Sequence, residues 1–118
     1  MVPVRPTALV VDDQESFRRY VGRLLVAAGY EVVAEADGAQ SVVALVEQLR
    51  PTLVLLDVLL PGRDGIDLAA DLDGVAGINV VLISSRARSD FGTALGERRF
   101  VSKSELTIEC LARMATDG

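Results

Sequence analysis

Histidine is absent from this 118-residue chain, tryptophan is absent, and cysteine occurs once, at Cys110. Without histidine there is no His-ligated zinc, no Ser-His-Asp or Cys-His nucleophile and no histidine general base. A lone cysteine excludes an internal disulfide framework and a multi-cysteine metal site. Aromatics are 4% of the residues, so any core must be packed from aliphatic side chains. Long apolar runs are missing too. Leu53 to Leu56 ends at Asp57, far short of the ~18 residues that a membrane span needs. No basic, apolar, small-residue leader opens the chain, so a cytoplasmic protein without membrane association is expected. Positive charge is in deficit: the net charge is −5 and the pI about 4.6. That balance argues against direct nucleic-acid binding by this domain. Lysine is almost missing as well, with eleven arginines against the single Lys103. What remains is chemistry on carboxylates, hydroxyls, one lysine and a hard metal ion.

What is present is apolar and periodic. Half of the residues are hydrophobic, enough for one core at this length, and residues 1–118 read as a single domain with its core at about 7–115. Short continuous apolar runs predict strands at Ala8–Val11, Glu31–Ala34, Leu53–Leu56, Val80–Ile83 and Arg99–Val101. Runs apolar at every residue suggest strands buried on both faces, as in a parallel sheet. Helical periods lie between them. Phe17, Val21, Leu24, Leu25 and Ala28 form one stripe, stopped by Gly29. Val42, Leu45, Val46 and Leu49 form a second, started near Asp37-Gly38 and ended by Pro51. Ile66, Ala69, Ala70 and Leu72 form a third, and Ser104 to Ala115 a last, with Ile108, Leu111, Ala112 and Ala115 on one face. Arg86 to Arg98 holds Gly92 and Gly96 and few periodic apolar residues, so a short or irregular fourth helix is expected there. Strands alternating with helices predict an open, doubly wound α/β sheet with helices on both faces.

Ligands of such sheets bind at the carboxyl ends of the strands. The first strand ends in Asp12-Asp13, the third in Asp57, the fourth in Ser84-Ser85 and the fifth in Ser102-Lys103. Singly, each has an ordinary explanation as a helix cap, a turn residue or a solvated lysine. Together they place three carboxylates at one edge, which stay ionised only if a cation joins them. Mg²⁺ suits an oxygen-only donor set. A carboxylate beside Mg²⁺ and an ammonium can attack a phosphoryl group to give an aspartyl phosphate. The Ser84 hydroxyl is placed to donate to a phosphoryl oxygen. After Asp57, Val58 and Leu59 lead into a turn stiffened by Pro61, which aims their backbone groups at the same edge.

The motifs VVDDQ at 10–14, LLDVLLPGRDG at 55–65, VLISS at 81–85 and RFVSKSEL at 99–106 resemble, in order and spacing, the receiver domain of two-component response regulators. The resemblance runs from about Thr7 to Ala115. It implies a flavodoxin-like (βα)5 fold of five parallel strands in the order 2-1-3-4-5. It further implies Asp57 as phosphoryl acceptor, and Asp12, Asp13, Asp57 and the Leu59 backbone carbonyl as ligands of Mg²⁺, or of Mn²⁺. Of the acidic pair Asp12 and Asp13, Asp13 is the one expected to ligate directly. Ser84 and Lys103 match the residues that contact the phosphoryl group, and Ser84 and Phe100 match the switch pair. Three features depart from the family pattern. Ser104 stands where the family commonly has Pro after a cis bond, the segment from Ser84 to Phe100 is short, and Leu59 is apolar where family members are often polar.

The function expected is a signalling receiver rather than an enzyme. It takes a phosphoryl group from a sensor histidine kinase or phosphotransfer protein and switches the binding of a downstream protein. It is a single-domain regulator or a receiver from a longer one, and a monomer is expected because the fourth helix is stunted. Three alternatives fit the residues less well. A Mg²⁺-dependent phosphohydrolase with an aspartyl-phosphate intermediate typically has an acid two residues after its nucleophile, where Leu59 stands. A flavin carrier would want a hydroxyl- and Gly-rich phosphate loop after the first strand, not Asp12-Asp13-Gln14-Glu15. A non-phosphorylated binding module usually lacks the acceptor or an acid, and both are retained here.

Overall fold

The computed structural model describes residues 5–117. Five parallel strands, β1 (Thr7–Val11), β2 (Glu31–Ala36), β3 (Leu53–Asp57), β4 (Asn79–Ser84) and β5 (Phe100–Ser102), form one sheet in the order β2-β1-β3-β4-β5. Four α-helices connect or follow them: α1 (Glu15–Ala27), α2 (Val42–Leu49), α3 (Gly65–Leu72) and α4 (Ile108–Asp117). The expected order and doubly wound topology are therefore present.

Strand alternation sorts the side chains into two cores. Leu9, Val11, Val54, Leu56 and Leu82 face Val42 and Val46 of α2 and Leu68, Ala69 and Leu72 of α3. Ala8, Val10, Leu53, Leu55, Val81 and Ile83 face Val21 and Leu25 of α1 and Leu111 of α4. The buried Tyr30 hydroxyl donates to the Leu111 carbonyl at 2.8 Å and fixes α4 against this second core.

Several expectations need correction. Only β1, β3 and β4 are largely buried; β2 and β5 are the sheet edges and stay half-exposed along much of their length. Helix α2 begins at Val42, not near Asp37-Gly38, and stops at Arg50, whose φ of 47° is left-handed directly before Pro51. On α3, Leu68 is buried beside the expected Ala69 and Leu72, and Ala70 is exposed. The last helix begins at Ile108 rather than Ser104, because a short 3-10 turn over Lys103–Glu105 comes first. On it only Leu111 of the expected stripe is buried, and Ile108 and Ala115 are exposed.

The fourth crossover has no α-helix. A 3-10 turn at Arg88–Phe91 is followed by successive tight turns, with left-handed Gly92 and Gly96. Buried Leu95 anchors this stretch. The Arg88 guanidinium donates to the Gly96 and Arg98 carbonyls at 2.7 and 3.1 Å, and Arg98 forms a two-point ion pair with Asp73 at 3.0 and 2.7 Å. Side-chain bonds thus do what helical backbone bonds do elsewhere.

Candidate functional site

Strand register brings the chemistry together. Val11 lies opposite Leu56, so Asp12 and Asp57 emerge side by side from β1 and β3. Asp57 lies opposite Ile83, which places Ser84 one residue further along β4, and Ser84 lies opposite Ser102, directly before Lys103. Carboxylate oxygens of Asp12, Asp13 and Asp57 all fall within 4.8 Å of one another.

Each acid sits in a different environment. Asp12 is fully buried, and its Oδ1 accepts the Gln14 N–H at 2.8 Å, which turns the chain into α1. Asp13 is exposed and open to a cation. Asp57 is buried, and its Oδ1 accepts the Leu59 N–H at 3.0 Å. Lys103 Nζ lies 2.7 Å from Asp12 Oδ2 and 3.3 Å from Asp57 Oδ2. Its ammonium also stands 4.3 Å from the centroid of the Phe17 ring, a favourable cation–π contact. Burial opposes the lysine charge, and the two carboxylates more than offset it, so Lys103 holds its proton above its ordinary range. Burial pushes Asp57 up to about 6, against the opposing pull of the Leu59 N–H and Lys103. One ammonium among three carboxylates leaves an excess of negative charge.

That donor set suits a divalent metal. Asp12 Oδ2 is inaccessible to solvent and, despite its proximity to the ammonium, has no aligned hydrogen-bond donor among the described residues. An oxygen-only cluster with one exposed carboxylate matches the preference of Mg²⁺, which keeps several waters and is usually bound through one or two carboxylates.

A hairpin follows the acceptor strand. Leu59–Leu60 pairs antiparallel with Arg63–Asp64 across Pro61-Gly62. Its return delivers Gly65 against β3, where the Gly65 N–H donates to the Val58 carbonyl at 2.8 Å. The side chain of Leu59 remains 51% exposed beside Asp57.

Asp12, Asp13, Asp57 and Lys103 are thus assembled at one point. Ser84 is at the same edge and fully buried, and its hydroxyl accepts the Arg86 N–H at 3.1 Å. Phe100 lies two residues back from that edge, paired with Leu82, and its ring meets Phe91 edge-on at 5.7 Å. No cis peptide bond occurs among the described residues, so Lys103-Ser104 is trans. Sequence reasoning missed Phe17, which it read as a core residue, and Arg18. The Arg18 guanidinium donates to the Asp12 carbonyl at 2.6 Å and to Glu35 at 3.0 Å. Nothing in the sequence around Arg18 signals that role, because both partners come from other elements.

Residues 8–114 match the family described as the response regulator receiver domain. This chain belongs to that family. As a receiver it is a phospho-relay module rather than an independent enzyme. It is similar to the DNA-binding response regulator MtrA of Mycolicibacterium smegmatis, 37% identical over 86 residues, 73% of this chain and 37% of that protein. It is also similar to the transcriptional regulatory protein PdtaR of Mycobacterium tuberculosis, 34% identical over 82 residues, 70% of this chain and 40% of that protein. The chain therefore spans about two fifths of the length of these relatives. Among solved structures, the BeF3-activated N-terminal receiver domain of RstA from Klebsiella pneumoniae superposes with a TM-score of 0.78 at 26% identity, covering 93% of this chain and 96% of that one. Among the described residues, no helix is long and apolar enough to cross a membrane.

Proposed function

We propose that this receiver accepts a phosphoryl group on Asp57 from the phosphohistidine of a sensor kinase or phosphotransfer protein. The reading rests chiefly on Lys103, whose ammonium contacts both buried carboxylates, Asp12 and Asp57. An Asp57 oxygen forms the new O–P bond while the donor's N–P bond breaks, and the departing imidazole keeps the nitrogen electron pair and takes a proton. A magnesium or manganese ion held by Asp12, Asp13, Asp57 and the Leu59 carbonyl would supply charge neutralisation at the phosphoryl oxygens. Lys103 stays protonated throughout and moves from a carboxylate partner to a phosphoryl oxygen. Asp57 is ionised above about pH 6, so it is a nucleophile at neutral pH.

The new group carries a charge of about −2. Turning the Ser84 hydroxyl towards it gives up the Arg86 N–H bond, which loosens the start of the fourth crossover. Phe100 has no hydroxyl to anchor it, so its position depends on packing against Phe91 and the space that Ser84 vacates. Downstream protein binding then reads the surface formed by the crossover and β5.

Intact-mass measurement after incubation with Mg²⁺ and acetyl phosphate tests the reading. One phosphoryl adduct is expected on the wild type and none on Asp57→Asn. An adduct that persists on the variant would place the acceptor elsewhere.

A further inference from the structure

A groove of about 450 Å³ lies on the flank of α1 that faces the edge strand β2. Gly22, Arg23 and Val26 of the helix form one side, and Val32 and Glu35 of β2 the other. None of the three site carboxylates lines the groove, and the phosphoryl chemistry does not use it.

Three features point to an occupant. First, Gly22 sits in the interior of a 13-residue helix, where glycine weakens a helix relative to alanine. A Cβ built there would meet nothing within 4 Å, so no contact among the described residues requires the glycine. Bare backbone at a groove floor allows close approach by something outside the chain. Second, Val26 is 63% exposed at the lip, beside Val32. Third, the positive charge here is little used. Arg23 makes no ion pair among the described residues, and Arg19 pairs only with Glu15, both well exposed, a contact of small energetic worth. Arg19 and Arg23 are one helical turn apart and so share a face.

The groove also touches the site. Arg18 lines it, and the Arg18 side chain is largely buried. Its Nε donates to Glu35 at 3.0 Å and its Nη1 to the Asp12 carbonyl at 2.6 Å. An anion in the groove competes with Glu35 for this guanidinium, and any shift of Arg18 is felt by the backbone of Asp12.

We propose that this groove binds an amphipathic anion, with its carboxylate among the Arg18, Arg19 and Arg23 guanidiniums and its apolar body along Gly22, Val26 and Val32, and that occupancy is transmitted to Asp12 through Arg18. The transmission rests on the metal reading given above, whereas the binding does not.

Octanoate is a suitable probe, and octanol its uncharged counterpart. NMR titration of the ¹⁵N-labelled chain is expected to give saturable shifts centred on Gly22, Arg23, Val26 and Val32. Octanol should bind at least ~5-fold more weakly, since an exposed charge contact is lost. Arg23→Glu, a surface change that the fold tolerates, should weaken octanoate by about tenfold. Gly22→Leu, which fills the floor, should abolish saturation. Saturating octanoate should change the Mg²⁺ dissociation constant by about 5-fold, and Mg²⁺ should change octanoate affinity by the same factor. Shifts that are scattered, equal for octanol, or unmoved by Arg23→Glu overturn the site. An unchanged Mg²⁺ constant overturns the link through Arg18. A chain that binds no Mg²⁺ at all fails the metal reading instead, and the groove is then decided by the Arg23→Glu comparison alone.

Discussion

Replacing Gly65 by alanine adds one methyl group where β3 and the start of α3 meet. The new Cβ would overlap the Asp57 carbonyl oxygen and lie 2.8 Å from Val58 Cα and 3.0 Å from the Asp57 carbonyl carbon. All three are backbone atoms, so no side-chain rotation relieves the crowding. The hydrogen bond from the Gly65 N–H to the Val58 carbonyl, 2.8 Å long, holds the two segments at that distance. Elsewhere, glycine to alanine at an unstrained position stabilises by about 0.4–1 kcal/mol through the unfolded chain. Overpacking typically costs about 1–3 kcal/mol, and backbone-to-backbone overlap belongs at the upper end. A net loss of about 2 kcal/mol is therefore expected, a fall of about 8 °C in melting temperature at this size. Gly22→Ala is the control: with open space around the added Cβ, it should melt at or above the wild-type temperature. Because relief comes only by moving the Asp57 backbone, Gly65→Ala should also slow acetyl phosphate labelling under conditions where the variant remains folded. Thermal melts with intact-mass time courses measure both. A Gly65→Ala protein within about 0.5 kcal/mol of wild type, labelled at the wild-type rate, would refute the reasoning.

Three further outcomes are expected. Asp57 sits at about 6 in the folded chain against an ordinary 3.8, so between those values the folded state holds the proton more tightly than the unfolded chain. Without metal, stability should then fall as pH rises through about 4 to 6, by roughly 3 kcal/mol at most. Asp57→Asn should remove that dependence, and equal pH profiles for the two proteins in EDTA would contradict the buried carboxylate. Lys103→Gln strips the cation from two buried carboxylates and should cost ~3 kcal/mol at neutral pH. Partial recovery is expected as Asp57 protonates at acid pH, and a neutral melt matching wild type would show that the ion pairs are dispensable. The fourth crossover depends on Arg88 and the Arg98–Asp73 pair rather than on helical bonds. Arg98→Ala should speed amide exchange across residues 92–98 while α1 stays protected, and protection in the crossover equal to that of α1 in wild type would count against the description.

Much of this was legible in the chain itself. The alternation of apolar runs and helical stripes dictated the doubly wound sheet, because burying strands on both faces leaves few other arrangements. The polar residues that end each run, Asp12-Asp13, Asp57, Ser84 and Lys103, marked one edge of the sheet as the site. Gly92 and Gly96, with few apolar residues between Arg86 and Arg98, foretold the missing fourth helix. These features are local: they depend on residue type and on spacing along one element.

Other features depend on partners far apart in sequence, and only the tertiary structure decided them. Periodicity could not say that β2 and β5 would be half-exposed edges, since strand order follows from packing and not from the strands themselves. It chose Ala70 over Leu68 on α3 because a short helix defines its face poorly until it is docked. It started the last helix at Ser104, where the carboxylates of Asp12 and Asp57 hold Lys103 and a 3-10 turn forms instead. The ring of Phe17 beneath the Lys103 ammonium, the Arg18 bridge from Asp12 to Glu35, and the closeness of Gly65 to β3 each join elements that the sequence lists separately. Residue type set which chemistry was available, and the register of parallel strands set which atoms meet, because a parallel sheet aligns strand ends that are far apart along the chain, such as Asp57 and Lys103, 46 residues apart, and Asp12 and Lys103, further apart still.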